Sequence, residues 1–140
     1  MLGRRASRAS IYWWSHMSKV LIYLCIINSV LLILHEIESA YEKEWIILKI
    51  PVDITGFILL HIPILILLFY CPIAILLGHG IGYTLSIIIG FGGTIPFLVH
   101  KVFFNNKEHF NKQISYSIIY LDLVIGIIEI ITSIYMVINK

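Results

Sequence analysis

Four long apolar runs follow one another along the chain. They cover Lys19–Leu34, Ile54–Leu77, Gly80–Phe104 and Ile114–Ile138, and the first continues into a helix-like polar stretch. About 20 apolar residues in a helix cross the roughly 30 Å of hydrocarbon in a bilayer. Continuous runs of this length are typical of membrane-spanning helices and not of buried strands. The pattern therefore predicts an all-α protein that forms a bundle of four transmembrane helices.

Short polar or glycine-containing segments separate the runs. The first helix is predicted to end before Lys49-Ile50-Pro51, and Asp53 or Thr55 is available to cap the second. Gly78-His79-Gly80 predicts a turn between the second and third helices, and the polar stretch Asn105–Gln113 predicts a connector to the fourth. Because the helices number four, we expect both termini on the same side of the membrane.

The domain organisation follows from where charge is concentrated. Residues 1–18 contain Arg4, Arg5 and Arg8 and no acid, which predicts a basic N-terminal tail, and residues 19–140 form a single four-helix membrane domain. The Lys and Arg residues flank the predicted membrane faces five against five. Since the first helix usually sets the orientation, we expect a multi-pass protein of the cell membrane with a cytoplasmic N-terminus.

Composition narrows the class of protein further. The 140 residues are 59% apolar and only 13% charged, and the mean hydropathy is +0.94. A large soluble catalytic domain is therefore excluded. The ten Lys and Arg residues are scattered and largely offset by eight acids, so nucleic acid is not expected as a partner. The expected partner is the lipid bilayer.

Two cysteines lie inside apolar runs, Cys25 in the first and Cys71 in the second. We interpret them as small hydrophobic residues and not as a disulfide framework. We expect them at different depths in the membrane and therefore unpaired.

A ladder of small residues marks one face of the third helix. Gly78, Gly82, Ser86, Gly90 and Thr94 repeat every four residues, and such a face lets a neighbouring backbone approach closely. The alternative is that glycine is simply common in membrane helices. The ladder favours a packing face, and a larger membrane complex or a homo-oligomer could dock on its Gly78, Gly82, Ser86 and Gly90 portion.

Ionisable side chains inside the spans usually face the bundle interior and mark function. In the first helix, His35, Glu38 and Glu42 follow Asn28 by seven, ten and fourteen residues. At 3.6 residues per turn these spacings place all four on the same face of the helix. In the fourth, Asp122 and Glu129 repeat at a seven-residue step after Ser115. The helix ends that carry these residues should meet at one membrane face, so we expect convergence of His35, Glu38, Glu42, His61, His100 and Asp122.

Imidazoles and carboxylates together are the usual ligands of zinc, iron and related metals. We therefore hypothesise a divalent transition metal, zinc or iron, bound by His35, Glu38, His61 and His100. Glu42, Asp122 and Glu129 are candidates for supporting residues or an ion path, with Asp122 orienting one imidazole. Glu36 and Glu44 are expected to face the lipid head groups.

Three functions remain open at this point. The cluster could hold a metal for lipid-directed chemistry, or it could be a structural network in a non-catalytic subunit of a larger membrane complex. The third alternative is a proton or cation path through Asp122 and Glu129. The chain has no Walker loop, GxSxG, HExxH or dinucleotide fingerprint, so catalytic residues are not identified and enzymatic activity stays open.

The chain also resembles a family of small four-helix membrane proteins of bacteria and archaea that has no assigned function. The resemblance covers about residues 20–138 and rests on His35-Glu36-Ile37-Glu38-Ser39-Ala40, Glu44-Trp45, Pro51, Gly56, His61-Ile62-Pro63, His100, Asn106 and Phe110. Family members typically have Asp where this chain has Glu38, and this chain has Ser39 before the alanine. The resemblance implies the four-helix fold and nominates His35, Glu36, Glu38, Glu44, Trp45, His61 and His100. It implies no activity.

Overall fold

A computed structural model describes residues 8–103 and 113–139 as a bundle of long helices. The helices are α1 (Arg8–Glu42), the short α2 (Glu44–Ile47), α3 (Ile54–Leu76), α4 (Gly80–Phe97) and α5 (Gln113–Ile138). A π-helical segment, Leu98–Phe103, extends α4. Four of these helices are long and apolar enough to cross a membrane, which confirms the predicted fold class. The side on which the termini lie stays a prediction, and most of the connector 105–113 lies outside the described residues.

The first helix begins earlier than its apolar run. Helix α1 starts at Arg8, inside the segment predicted as a basic tail. Two tryptophans near its start contact tyrosines of other helices. The ring centroids of Trp13 and Tyr135 lie 5.7 Å apart, and those of Trp14 and Tyr83 lie 6.1 Å apart. These contacts tie the N-terminal turns of α1 to α4 and α5.

Local sequence signals place the start of α3 and the turn before α4 as expected, whereas α1 ends at Glu42, earlier than the predicted break at Lys49-Ile50-Pro51. The Asp53 side chain accepts a hydrogen bond of 2.8 Å from the Gly56 amide, so Asp53 is the N-cap of α3. The turn between α3 and α4 places Gly78 at φ +72°, a conformation that glycine adopts without steric cost.

Small residues bring α4 against its neighbours. A Cβ atom at Gly90 would lie 2.9 Å from the Gly126 carbonyl oxygen on α5, and one at Gly82 would lie 2.7 Å from the Ile75 nitrogen on α3. Gly82, Ser86 and Gly90 are all buried, which confirms these three positions of the ladder as a packing face within this chain. Gly78 lies in the exposed turn before α4 and Thr94 is only half-buried, so the ends of the predicted ladder are not part of this face. Docking of another protein on this face stays a prediction.

The expectation that the two cysteines lie at different depths is wrong. Cys25 lies 17 residues before the end of α1, and Cys71 lies 17 residues after the start of α3. Because these helices are joined by one connection and run in opposite directions, equal distances from it give equal depths. Both are buried free thiols, and their side chains contact each other.

The two halves of α3 differ in packing. Leu68, Cys71, Ala74 and Ile75 are buried in the second half, whereas no side chain in the first half, residues 54–67, is buried. The first half of α3 is therefore packed less closely against the other helices than the second half.

Candidate metal centre

Three buried residues from three different elements meet at one end of the bundle. His35 lies in the last two turns of α1, Glu44 begins α2, and His100 lies in the π-helical segment after α4. One ligand atom from each residue lies within 4.8 Å of the other two. We call these three residues the histidine cluster.

Glu44 reaches the cluster because the backbone reverses just before it. Lys43 has φ 54° and ψ 50°, the left-handed conformation that non-glycine residues rarely adopt. This residue ends the helical path of α1 and starts α2 in a new direction. The reversal turns Glu44 inward, and Trp45 follows it into the protein, where its ring lies 5.0 Å from the Phe57 ring. Conformations of this kind persist where the surroundings hold them, often near functional sites.

His100 is presented by a widened helical turn. Pro96 lies inside α4 and cannot donate a hydrogen bond to the carbonyl one turn earlier. The helix continues as the π-helical segment that contains His100. π-Helical turns often occur at functional sites, because they redirect a side chain without ending the helix.

The distances inside the histidine cluster are longer than those of ordinary hydrogen bonds. His100 Nε2 lies 3.3 Å from Glu44 Oε1, and the ring centroids of His35 and His100 lie 5.3 Å apart at an angle of 74°. Ser39 is fully buried beside them: its Oγ lies 3.4 Å from His35 Nε2, and its hydroxyl donates to Glu44. Ser39 therefore links two of the three residues.

One pair of these atoms, from His100 and Glu44, has the separation expected for two ligands of one ion. Two atoms bound to one zinc at about 2.0–2.1 Å in tetrahedral directions lie about 3.3 Å apart. The His100–Glu44 separation is also 3.3 Å, whereas an N–H···O hydrogen bond is usually near 2.9 Å. Two imidazoles and one carboxylate are a common ligand set for zinc and for iron.

Burial sets the electrostatics of Glu44, which lies between α1 and α3 outside the spanning helices. Removal from solvent raises the pKa of the Glu44 carboxyl group above its ordinary value, and the hydrogen bond from Ser39 opposes this effect. An ion at this position would stabilise the charged carboxylate that burial disfavours.

Two of the four predicted ligands have other partners. His61 Nε2 lies 2.6 Å from Glu36 Oε2, and its Nδ1 lies 2.6 Å from the Phe57 carbonyl oxygen, so both ring nitrogens are engaged. Glu38 accepts a hydrogen bond from the Ser115 hydroxyl of α5. The structure thus brings His35 and His100 together and places Glu38 and His61 in separate pairs around them.

The remaining predicted residues lie outside the histidine cluster. Glu42 is half-buried at the end of α1. Asp122 is fully buried on α5, and within the described chain neither of its carboxylate oxygens has a hydrogen-bond partner, so it does not orient an imidazole by a hydrogen bond. Glu129 lies one step of seven residues deeper along the same helix.

Glu129 is the centre of a second buried polar group. It accepts hydrogen bonds of 2.6 Å from Asn28 Nδ2 and from Ser86 Oγ. Ser133 Oγ lies 3.0 Å from Ser86 Oγ and donates to the Glu129 carbonyl at 2.7 Å. These four side chains from α1, α4 and α5 are called the Glu129 network.

A cavity of about 620 Å³ adjoins the histidine cluster. It lies between α1, α3 and α4, beneath the segment 44–52. Four polar side chains line it, namely His35, Glu36, Glu44 and His61, and most other lining residues are apolar. Two of the three cluster residues therefore face a partly open cavity that a ligand could enter.

Helical periodicity missed Glu44 and Ser39. Glu44 was expected at the head groups, but it is buried. Its position depends on the backbone reversal at Lys43, which periodicity does not detect, although the family resemblance nominated Glu44 through the Glu44-Trp45 pair. Ser39 lies one turn after His35 in α1 and carried no signal of its own.

Comparison with known proteins identifies the family of the chain. Residues 15–136 match the model of DUF6713, a family of unknown function. The match covers most of the chain, so the protein belongs to this family, and the expected membership in a family without assigned activity is confirmed. No curated protein and no solved structure matches the chain.

Proposed function

We propose that this protein is an integral membrane protein that binds one divalent transition metal through His35, Glu44 and His100. The observation that carries the proposal is the meeting of three buried ligand atoms within 4.8 Å of one another. Buried ionisable groups are costly unless they are paired or coordinate a metal. An ion at this position would be coordinated by all three residues at once.

The ligand set favours zinc or iron(II). Two histidines and one carboxylate occur in catalytic zinc sites and in the facial triad of non-haem iron proteins. Hard cations such as magnesium prefer oxygen ligands only. Structural zinc sites usually have four protein ligands, whereas sites with three leave a position for substrate.

The surrounding residues support the role of the three ligands. Ser39 holds Glu44 by a hydrogen bond and lies beside the His35 ring, which fixes the direction of both side chains. His35 and Glu44 line the cavity, so a ligand there would reach the same two residues. A bound metal would supply Lewis-acid polarisation of an oxygen atom in such a ligand.

Metal content of the purified protein tests this proposal. The full chain is purified in detergent without chelator, and zinc, iron and manganese are measured by inductively coupled plasma mass spectrometry. We expect about one metal per chain in the wild type and at least a tenfold loss in His35→Ala, Glu44→Gln and His100→Ala.

Two further variants separate this site from the one predicted by periodicity. His61→Ala and Glu38→Gln remove residues whose contacts are with Glu36 and Ser115, so metal content should stay near that of the wild type. His79→Ala, in the exposed turn before α4, controls for a general loss of imidazole. Wild-type metal content in all three cluster variants would refute the proposal.

A second candidate function, a proton path, is favoured by one observation. Asp122 is fully buried between the two polar groups, and in the described residues its carboxylate oxygens lack hydrogen-bond partners. Buried carboxyl groups in spans often relay protons. Proton flux into liposomes that contain the protein, followed with a pH-sensitive dye, should then be lost in Asp122→Asn while the metal content is unchanged. Equal flux in the variant and in the wild type would exclude this function.

A further inference from the structure

The cavity beside the histidine cluster has the form of a lipid site. Its apolar wall follows α3 from Phe57 to Leu68, a rise of about 16 Å at 1.5 Å per residue. Its volume of about 620 Å³ lies in the range of pockets that enclose one small ligand. The cavity therefore extends from the end of the bundle that holds the cluster toward the middle of the membrane.

The entrance of the cavity lies between α3 and α4. Lining residues from both helices remain exposed on the outer surface, among them Leu60, Ile64, Ile88, Phe91 and Ile95. In a spanning bundle this surface faces hydrocarbon, so the entrance is open to molecules dissolved in the bilayer. Water-soluble ligands would have to pass Trp45 and the other apolar residues of segment 44–52 at the end of the cavity.

The polar groups of the cavity all lie at one end. His35 and Glu36 come from the last two turns of α1, His61 lies two turns into α3, and Glu44 lies between these helices. Toward Leu68, Ile88 and Ile89 the lining is apolar. A ligand that fits must therefore have a polar head at one end and a long apolar chain.

The charges at the polar end restrict the head group. Without a bound metal to offset their charge, the carboxylates of Glu36 and Glu44 would repel an anionic head group. A hydroxyl group can donate to a carboxylate and accept from an imidazole. The cavity thus favours an uncharged head that carries a hydroxyl group.

We propose that the cavity binds a single-chain membrane lipid with an uncharged hydroxyl head, such as a long-chain alcohol. The head lies among His35, Glu36, Glu44 and His61, and the chain lies against α3 and α4. The cavity shares His35 and Glu44 with the proposed metal centre, but the preference for an uncharged head is expected in the protein without metal and does not require the ion.

Gly92 provides a variant that fills the cavity without disturbing the helices. It lines the cavity, and the nearest atom to a Cβ added there is Leu32 Cδ1 at 3.6 Å, an ordinary contact. Gly92→Leu should therefore extend into the space that the lipid chain would occupy. Ile131→Phe adds apolar volume on the exposed surface of α5, away from the cavity, and is the matched control.

Photolabelling of the full chain in detergent tests the inference with hexadecanol that carries a diazirine in its chain. We expect saturable labelling of the wild type, the same labelling of Ile131→Phe and at least a tenfold decrease in Gly92→Leu. Ile95→Trp, at the entrance, is a second blocking variant in case Gly92→Leu fails to fold. In protein treated with chelator to remove metal, unlabelled hexadecanol should compete at least tenfold better than palmitate, which has the same chain length and an anionic head.

The results distinguish this inference from the metal proposal. Equal labelling of the wild type and both blocking variants overturns the lipid site. The same result is expected if a segment of the chain or a second copy of the protein fills the cavity. Equal competition by palmitate overturns the assignment of the head group. Metal is measured on the same samples. A wild type that contains no metal but is labelled as expected refutes the metal centre alone. A wild type that contains metal but is not labelled refutes the lipid site alone.

Discussion

The two buried polar groups of this protein use similar residue types but differ in how closely the atoms approach. In the Glu129 network, the side-chain oxygens and nitrogens lie 2.6–3.0 Å apart, within ordinary hydrogen-bond distances. In the histidine cluster, His100 Nε2 and Glu44 Oε1 lie 3.3 Å apart. Direct hydrogen bonds hold the first group together, whereas the ligand-atom pair in the second has the separation expected of two ligands of one ion.

The two groups also differ in how closely the surrounding helices are packed. Near the Glu129 network, the backbones of Gly90 and Gly126 approach so closely that neither can carry a Cβ atom. Beside the histidine cluster, the first half of α3 stands away from the bundle and leaves the cavity. A network of direct hydrogen bonds in a closely packed interface stabilises helix association, whereas ligand atoms beside an open space indicate binding.

The largest expected effect is on the closely packed region. Gly90→Leu would force a Cβ atom to within 2.7 Å of Ile130 Cγ1 and 2.9 Å of the Gly126 oxygen. We expect a loss of about 3 kcal/mol in the free energy of unfolding in detergent. Gly92→Leu, two residues further on, should change it by less than about 1 kcal/mol. Equal stability of both variants would show that α4 and α5 are not in close contact.

Paired substitutions of the two glutamates should separate stability from binding. Glu129→Gln replaces one of the two accepting oxygens by an NH2 group, which cannot accept the hydrogen bond from Asn28 or Ser86. We therefore expect a loss of about 1–2 kcal/mol in the free energy of unfolding, with unchanged metal content. Glu44→Gln should lower the metal content at least tenfold with little change in the stability of the metal-free protein. Thermal unfolding and metal analysis of the same samples measure both effects, and a reversed pattern would contradict the comparison.

The effect of pH on the free energy of unfolding should have opposite signs in the metal-free and the metal-bound protein. Burial raises the pKa of Glu44 in the folded protein, so its contribution to stability is present at low pH and is lost as the pH rises through that pKa. A bound metal requires the deprotonated carboxylate, so metal-dependent stabilisation should increase over the same pH range. Melting temperatures with zinc and with chelator measure the difference, which should disappear in Glu44→Gln. If zinc stabilises the protein equally across the whole range, Glu44 is not a ligand.

The smallest expected effect concerns the backbone that presents Glu44. Lys43 has a left-handed conformation, which costs a non-glycine residue about 1–2 kcal/mol. Lys43→Gly removes this cost but increases the freedom of the unfolded chain, so we expect a net gain of about 0.5 kcal/mol in stability. Ile47→Gly, within α2, should instead reduce stability. A loss of stability in Lys43→Gly as large as that in Ile47→Gly would contradict the described reversal.

The sequence predicted the candidate site in part. Helical phase and the shared position of helix ends correctly indicated a meeting of His35 and His100, because both properties depend only on spacing along regular helices. The same reasoning grouped Glu38 and His61 with them, but it does not detect that Ser115 and Glu36 lie closer to these side chains. Side-chain pairing depends on distances of a few tenths of an ångström, which spacing does not determine.

The amino-acid sequence by itself determined the four long apolar helices and the turn at Gly78, and it limited the cap of α3 to Asp53 or Thr55, because apolar length and local backbone preference are properties of short segments. Only the tertiary structure decided that Glu44 completes the histidine cluster, since this requires the reversal at Lys43 and the widened turn at His100 to face each other. It also decided that Cys25 and Cys71 lie at one depth and that the first half of α3 leaves a cavity. These features arise from the packing of separate helices, and packing is a property of the whole bundle.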